Sequence, residues 1–393
     1  MEESKNNETL NLDLKVVDVH TKLRFASINE NLPSMVKDAF KGISELSINL
    51  NFFIPRVHRT GNDAVEDELF QDLYKDRIES FKDSYSVALQ PEFLEEAAQH
   101  ALSYARWTLP SVPPQNEIMS IILQLLFPGI IWDFIVDNQR GFKKETDCGS
   151  SGESFKAFLD FYPSADKKRD DGNKENDQSG KMAAVQLMLE NPLYAVIVKE
   201  FINIFDEFRD KDRTVMDQEV KRLAEAFLWE KSEQKKGVYS KYTNRFFRGL
   251  NIALAIYPEV MFTLEELQLD DSVRESVYFK RWMQIAGEIG GMINDILGVQ
   301  KDVKNGDATD IVMMRILGGE SIVRVLQSEI KRFNANVSDY LAMRTALLNR
   351  FPKMDNLPHY IELVDSWLYG TIQVFQYSKL YDEVEVSFYP KIQ

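Results

Sequence analysis

The stretch "WMQIAGEIGGMINDILGVQKDVKNGDATD", residues 282–310, decides how this chain can be interpreted. Nine of its first eleven residues are apolar or small, which is typical of a helix packed tightly inside a protein. Asn294, Gly298 and Asp302 then follow at intervals of four, with Lys301 beside the last of them. On a helix these positions lie within about 80° of one another. One face of the helix therefore carries the amide of an asparagine, a glycine without a side chain, the ammonium of a lysine and the carboxylate of an aspartate.

Such a polar face either contacts solvent or binds a ligand. Large aliphatic side chains surround it, which favours burial: Ile293, Ile296, Leu297 and Val299. An amide oxygen and a carboxylate, separated by a residue without bulk, can form a pocket for a hard cation. Mg²⁺ keeps several of its waters and is usually shared between a few protein oxygens and a substrate phosphate. Lys301 on the same face would bind that phosphate as a point charge. The face predicts half of a metal–diphosphate site.

The composition excludes several classes of protein. A formal net charge of −15 argues against binding of nucleic acid, which requires a basic surface. The single cysteine, Cys148, excludes an internal disulfide framework and a cysteine-based zinc site. The apolar runs are too short to span a membrane, and the acidic start is unlike a signal peptide. We expect a cytoplasmic globular protein without a stable membrane anchor.

Helical periodicity dominates the chain. Helices are predicted over 66–86, 91–106, 116–140, 182–208, 215–234, 238–256, 272–302, 308–335, 336–350 and 357–379. Turn residues predict breaks at 109–116, 257–260 and 350–358. Strand-like alternation occurs at 10–20, and the polar segment 164–181 is predicted to be a disordered loop. We therefore predict an N-terminal extension, 1–50, partly disordered or strand-like, followed by one all-α domain, 51–393.

The motif "NDILGVQKD", residues 294–302, resembles the "NDxxSxxKE" motif of class I terpene synthases, in the single α-domain type found in microbes and corals. The text downstream is also similar, with Asp310 in the position of the family's Asn. Gly298 replaces the usual Ser and Asp302 the usual Glu. The resemblance implies a helical bundle around a central active-site cavity. It also implies Mg²⁺-dependent ionisation of a prenyl diphosphate, with three Mg²⁺ ions as cofactor.

In this family the motif binds metal, so the resemblance implies Asn294, Gly298 and Asp302 as the metal positions of this helix. Glycine supplies no oxygen, but a water can take the place of a missing protein ligand. We therefore expect Gly298→Ser to be tolerated.

The family also has a carboxylate cluster at the end of an upstream apolar helix, and "IIWDFIVDNQRGF", residues 130–142, is the candidate. Trp132 precedes Asp137 by five residues, which is the family's spacing. Asn138 takes the place of the second acid and the third acid is missing, but Asp133 lies one helical turn before Asp137. The expected metal ligands here are Asp137, Asn138 and Asp133. Ordinary solvated acids at a helix end are the alternative.

The segment "YSKYTNRFFRGLN", residues 239–251, offers the diphosphate-binding arginines. A guanidinium in an otherwise aromatic and apolar helix needs an anion, and it can bind phosphate with two hydrogen bonds. Arg248 lies 46 residues before Asn294, which fits the gap in the family, whereas Arg245 precedes Gly249 by four residues and fits the local pattern. We favour Arg248, and an ordinary salt-bridged arginine is the alternative.

The C-terminus keeps part of the family's closing motif. Leu380 stands where the family has the Arg of an Arg-Tyr pair, and Tyr381 keeps the tyrosine. Lys379 lies one position away and can supply the charge. The resemblance thus implies catalytic roles for Arg248, Lys301 and Tyr381, and diphosphate contacts by Arg248, Arg245, Lys301 and Lys379.

The predicted activity is cyclisation of a prenyl diphosphate to a terpene hydrocarbon or alcohol, with release of pyrophosphate. Geranylgeranyl diphosphate is the favoured substrate, because relatives of the coral type often use it, and farnesyl diphosphate is the second candidate. Two other functions stay open. A prenyl diphosphate synthase shares the fold but has two intact "DDxxD" motifs, and a non-catalytic binding protein would explain the departures from the motif. A monomer or a homodimer is expected.

Overall fold

The computed structural model describes residues 14–24, 34–55, 63–109, 116–138, 192–208, 210–236, 241–305, 310–377 and 385–390. Within these ranges the helices are α1 (Ser34–Phe40), α2 (Asp63–Tyr85), α3 (Pro91–Thr108), α4 (Glu117–Asn138), α5 (Pro192–Glu207), α6 (Thr214–Lys236), α7 (Lys241–Asn251), α8 (Ile256–Leu264), α9 (Asp271–Arg274), α10 (Val277–Leu297), α11 (Val299–Asn305), α12 (Ile311–Leu317), α13 (Ile322–Arg350) and α14 (Leu357–Tyr377). The strands are β1 (Leu14–Arg24), β2 (Glu45–Pro55) and β3 (Glu385–Pro390).

Helix α10 is central to the bundle, because it packs against α7, α13 and α14. Ser276 caps its first turn, with the side-chain oxygen accepting a hydrogen bond from the Phe279 amide at 3.2 Å. Most of the helix is then buried, beginning with Phe279 and the fully buried Trp282. An amphipathic sequence would leave one face in water, whereas this helix is enclosed on several sides.

The contact between α7 and α10 depends on glycines. A Cβ atom on Gly287 would lie 2.6 Å from the backbone oxygen of Gly249, and one on Gly291 would lie 2.9 Å from Cγ of Arg248. Side chains at these positions would hold the two helices apart. The small residues of the sequence thus bring the backbone of α7 close to α10 and place Arg248 across it.

Several predicted helix boundaries are wrong. The single helix predicted at 272–302 is divided into α9, α10 and α11, with Ser276 capping α10 and Gly298 ending it. The break expected at 257–260 falls inside α8, where Pro258 is the third residue. Proline fits there because the first amides of a helix have no partner within it. The predicted boundary between 308–335 and 336–350 is also absent, since α13 runs unbroken from 322 to 350. The chain turns earlier, between α12 and α13, where Gly319 has a φ of +89° that other residues rarely adopt.

The three strands form one antiparallel sheet in the order β2-β1-β3. The strand expected at 10–20 is present as β1, Leu14–Arg24, while β2 and β3 were not predicted. Alternate residues of β2 are buried, namely Ile48, Leu50, Phe52 and Ile54. Phe52 packs edge-on against Phe333 of α13 with ring centroids 5.0 Å apart. The sheet is thereby attached to the helical body.

The predicted division at residue 50 falls within β2, and it stays a prediction. The loop predicted at 164–181 lies outside the described residues, as does the first part of the helix predicted at 182–208. Among the described helices, none is long and apolar enough to cross a membrane.

Candidate metal and diphosphate site

The predicted motif lies where α10 ends and α11 begins, and Gly298 separates the two helices. The hydrogen bonds nevertheless continue with helical spacing. The Gly298 amide donates to the Asn294 carbonyl at 2.7 Å, and the Asp302 amide donates to the Gly298 carbonyl at 3.0 Å. The predicted intervals of four residues therefore correspond to successive helical turns.

Gly298 is required by its contacts with the preceding turn. A Cβ atom there would lie 2.5 Å from the Asn294 carbonyl oxygen and 3.4 Å from Oδ1 of the same residue. A serine would force the junction to shift, so the geometry contradicts the expectation that Gly298→Ser is simply accommodated.

Asp302 and Lys301 lie beside this junction. Asp302 is almost fully buried, and Nζ of Lys301 lies 3.5 Å from Oδ1 of Asp302. The Lys301 charge also acts on His100 of α3. Burial first, and then this ammonium charge, lower the pKa of the His100 imidazole from 6.5 to about 3. A buried carboxylate, an ammonium and a neutral imidazole therefore lie in one neighbourhood.

Arg248 of α7 contacts the motif directly. Its Nε donates to Oδ1 of Asp295 at 2.8 Å, and one terminal nitrogen donates to Oδ1 of Asn294 at 2.9 Å. The other oxygen of Asp295, Oδ2, accepts from the Ile311 amide at 3.1 Å. Sequence reasoning did not select Asp295 as a site residue. The signal was present, since Asp295 follows Asn294 directly on a helix flank that is otherwise aliphatic.

Arg245 has a different partner. Its guanidinium lies 3.5 Å from Oε1 of Glu329 on α13, and Arg315 of α12 contacts the same oxygen at 2.7 Å. Glu329 is buried. Of the two arginines predicted to bind diphosphate, the structure brings Arg248 to the motif and Arg245 to a carboxylate shared with Arg315.

Asp310, which stands where the family has an Asn, caps α12. Its Oδ1 accepts hydrogen bonds from the amides of Val312 at 2.7 Å and Met313 at 2.9 Å. Asp310 thus fixes the start of the helix whose first residue, Ile311, donates to Asp295.

The upstream cluster lies at the end of α4. Asp133, Asp137 and Asn138 belong to this helix, and the side chains of all three are outside the described part of the structure. Pro128 lies within α4 without ending it. Lys379 and Tyr381 are likewise outside the described residues. The roles predicted for these five positions stay predictions.

The donor atoms at the junction fit a hard cation. Asn294 and Asp302 offer an amide and a carboxylate oxygen one turn either side of Gly298. Oδ1 of Asn294 accepts from Arg248 and has a second lone pair for a metal. Mg²⁺ prefers oxygen ligands with several retained waters. Among the side chains that the structure describes, no three His, Cys, Asp or Glu residues are grouped to hold a metal. A site here would therefore depend on the amide, water and substrate oxygens, or on α4 carboxylates.

Comparisons with known proteins agree with this description. Residues 160–318 match the model of terpene synthase family 2, C-terminal metal binding. This region contains the motif and both arginines of α7. No curated protein sequence matches the chain.

Solved structures share the fold at low sequence identity. One is 2-methylisoborneol synthase from Streptomyces coelicolor A3(2) in complex with Mg²⁺ and 2-fluoroneryl diphosphate, with a TM-score of 0.61 and 13% identity, covering 84% of this chain and 96% of that one. Linalool/nerolidol synthase from Streptomyces clavuligerus has a TM-score of 0.56 and 14% sequence identity, covering 82% of this chain and 98% of that one. Germacradien-4-ol synthase from Streptomyces citricolor has a TM-score of 0.57 and 12% sequence identity, covering 82% of this chain and 96% of that one. The predicted all-α fold and the resemblance to class I terpene synthases are confirmed.

Proposed function

We propose that the chain is an enzyme of the class I terpene synthase type, a Mg²⁺-dependent cyclase of prenyl diphosphates, and its fold and its matched metal-binding region support this. The substrate loses pyrophosphate, and the remaining carbocation cyclises to a terpene hydrocarbon or alcohol. We further propose that three Mg²⁺ ions take part and that the protein works in the cytoplasm as a monomer or homodimer.

One observation carries this proposal. Arg248 comes from α7 and meets Asn294, which begins the metal motif, through a hydrogen bond of 2.9 Å. Lys301 and the buried Asp302 lie two turns further along. Two candidate oxygen ligands and two positive side chains therefore lie along the α10–α11 junction, and this supports binding of metal and diphosphate there.

The residues divide the chemistry between them. Bound Mg²⁺ would supply Lewis acidity to the diphosphate oxygens. Asn294 and Asp302 would bind it from this helix, with a water in place of the ligand that Gly298 does not supply, and Asp137, Asn138 and Asp133 would bind it from α4. Arg248 and Lys301 would bind the departing pyrophosphate, with Arg245, Lys379 and Tyr381 as the additional contacts proposed from the resemblance. Charges fixed before the reaction stabilise the leaving group at low reorganisation cost.

The carbocation needs a different environment. We propose a central cavity lined by apolar and aromatic side chains, because aromatic faces stabilise a cation and exclusion of water prevents premature quenching. The structural neighbours include complexes with 2-fluoroneryl and 2-fluorogeranyl diphosphate. Those analogues support a prenyl diphosphate as the substrate class. We propose geranylgeranyl diphosphate as the preferred substrate and farnesyl diphosphate as the second.

The experiment is incubation of the purified chain with Mg²⁺ and geranyl, farnesyl or geranylgeranyl diphosphate in turn, with detection of hydrocarbon products and of pyrophosphate. We expect cyclic products and stoichiometric pyrophosphate, most rapidly from the twenty-carbon substrate, and complete loss of both in EDTA. Product formation undiminished by EDTA would refute the metal site.

A second incubation with isopentenyl diphosphate tests the alternative of chain elongation. We expect no longer diphosphate to form. The motif favours this outcome, because the upstream cluster lacks an intact "DDxxD".

A further inference from the structure

We propose that Asp295 is a positioning residue, which orients Arg248 toward the diphosphate and ties that arginine to the start of α12. This inference deepens the proposed function and rests on it. Asp295 would contact neither substrate nor metal and would act through Arg248.

Both oxygens of the Asp295 carboxylate are engaged. Oδ1 accepts from Arg248 Nε at 2.8 Å, and Oδ2 accepts from the Ile311 amide at 3.1 Å. The side chain is only 3% exposed. With one oxygen held by α7 and the other by α12, the carboxylate plane is fixed, and a charge-assisted bond to a buried group is strong and directional.

The guanidinium of Arg248 is in turn fixed at two atoms. Asp295 holds Nε, while Asn294 holds one terminal nitrogen at 2.9 Å. The stem of Arg248 lies over Gly291, where a Cβ atom would approach its Cγ to 2.9 Å. A mobile arginine loses side-chain entropy when it is ordered, so fixing it before the substrate binds reduces the cost of binding.

The hydrogen bond from the Ile311 amide to Asp295 connects the motif to α12, which follows it in the chain. Ile311 is the first residue of α12, directly after Asp310, which caps the helix. One carboxylate therefore links α7, α10 and α12. Arg248 should lose its orientation when the charge of Asp295 is removed, and it should do so partially when only the link to α12 is removed.

A double-mutant cycle tests the positioning role. Asp295→Asn and Arg248→Gln are made singly and together, and we measure kcat and KM for the prenyl diphosphate, affinity for inorganic pyrophosphate with Mg²⁺, and thermal stability. We expect Asp295→Asn to lower kcat and pyrophosphate affinity roughly 10- to 100-fold when Arg248 is present. In the Arg248→Gln background the same change should alter kcat and pyrophosphate affinity by no more than about twofold, because Asp295 then has no arginine to orient. Two independent residues would instead give additive effects.

Asp365 supplies a matched control. It is also a buried carboxylate paired with an arginine, and it accepts from Arg344 at 2.6 Å and from the Tyr340 hydroxyl at 2.7 Å. We expect Asp365→Asn to lower stability and to have the same effect on kcat in both backgrounds. If Asp295→Asn behaves like Asp365→Asn, its role is structural and the proposal is overturned.

A second pair of variants applies if Asp295→Asn does not fold. Ile311→Pro and Ile311→Ala both remove most of the isoleucine side chain, but only proline lacks the backbone N–H that donates to Asp295. Proline suits the first position of a helix, and Asp310 has the extended backbone, φ −70° and ψ 160°, that precedes proline comfortably. We expect Ile311→Pro to weaken pyrophosphate binding more than Ile311→Ala, and equal binding would refute the link.

Wild-type turnover separates this inference from the proposed function. Normal turnover with additive mutational effects would refute only the role of Asp295. Absence of turnover with every prenyl diphosphate would refute the proposed function, and the positioning role with it.

Discussion

The two halves of α10 use opposite kinds of packing. In the first half, Trp282 stacks on Tyr340 with ring centroids 5.5 Å apart, and Phe279 meets Tyr360 edge-on at 5.5 Å. From Gly287 onward, buried aliphatic side chains such as Ile293 and Ile296 alternate with glycines, and at Gly287 and Gly291 the contacts with α7 are made by its backbone and by Arg248. The first half contributes apolar area and aromatic contacts, while the second brings Arg248 of α7 close to the end of α10.

This difference in packing suggests that the first half of α10 mainly determines the stability of the fold and the second half mainly determines activity. Burying aromatic rings stabilises the fold through apolar area. Glycines contribute little to that area and cost helix propensity, about 1 kcal/mol each relative to alanine. Their benefit is close approach, because Gly287 and Gly249 bring two backbones together. Substitutions in the first half should therefore change stability, and those in the second half should change activity.

The largest effect is expected from Trp282→Ala. Trp282 is fully buried, and truncation of such a side chain costs about 3–5 kcal/mol. We expect a correspondingly lower free energy of unfolding in urea, with the activity per folded molecule close to that of the wild type. Trp282→Phe should lose less. A Trp282→Ala protein that is fully stable but inactive would contradict the division between the halves.

The next effect concerns activity alone. Asp302→Ala removes the charged oxygen that we propose as a metal ligand, and it should lower kcat roughly 100-fold or more, the size seen when a preorganised charge-stabilising group is lost. Stability should change little, and Mg²⁺ affinity, measured through Mn²⁺ competition, should fall. Asp339→Ala, an exposed acid on α13, is the control and should leave both quantities unchanged. Full activity of Asp302→Ala would remove the main support for the site.

Gly287→Ala should have a smaller and mixed effect. The added Cβ would meet the Gly249 oxygen at 2.6 Å, and overpacking of this kind costs about 1–3 kcal/mol. We expect lower thermal stability together with reduced activity, because the shift of α7 moves Arg248. The control is Gly129→Ala in α4, where nothing lies within 4 Å of the new atom and stability should rise. If both variants behave alike, the close contact between α7 and α10 is not needed.

The smallest effect is a dependence of stability on pH at His100, which lies near Lys301. The folded pKa of about 3 is below the ordinary 6.5, so the unfolded chain binds the proton first. This contribution is constant above pH 6.5, and stability falls as the pH drops below that value. The loss should reach about 1.4 kcal/mol at pH 5.5.

Urea unfolding at pH 7.5 and 5.5 measures this effect, with His100→Gln as the comparison. The variant should lack this part of the pH dependence. An equal loss of stability in the wild type and in His100→Gln would show that His100 is not responsible.

Much of the bundle could be predicted because periodicity is a local property. The motif at 294–302 was found because its spacing is helical, and the hydrogen bonds of Asn294, Gly298 and Asp302 keep that spacing. Pro258 misled the prediction, since the same residue can end a helix or begin one. The alternation of Ile48, Leu50, Phe52 and Ile54 was a readable strand signal that the prediction missed.

The partners of charged residues were harder to predict. Arg245 and Arg248 are three residues apart in similar surroundings, and only the packing of α7 shows that one meets Glu329 and the other Asp295. Their carboxylate partners are distant in sequence and follow from tertiary contacts. Sequence could therefore supply the candidates but not the pairs.

The sheet order has a consequence for the synthesis of the chain. Strand β1 is central, and its second neighbour is β3, close to the C-terminal end. While the ribosome translates the residues between β2 and β3, one edge of β1 has no native partner. At about 5–20 residues per second this interval is roughly 15–65 s. An unpaired edge can recruit strands from other nascent chains, so a shortened C-terminus or slow translation should promote aggregation of this protein.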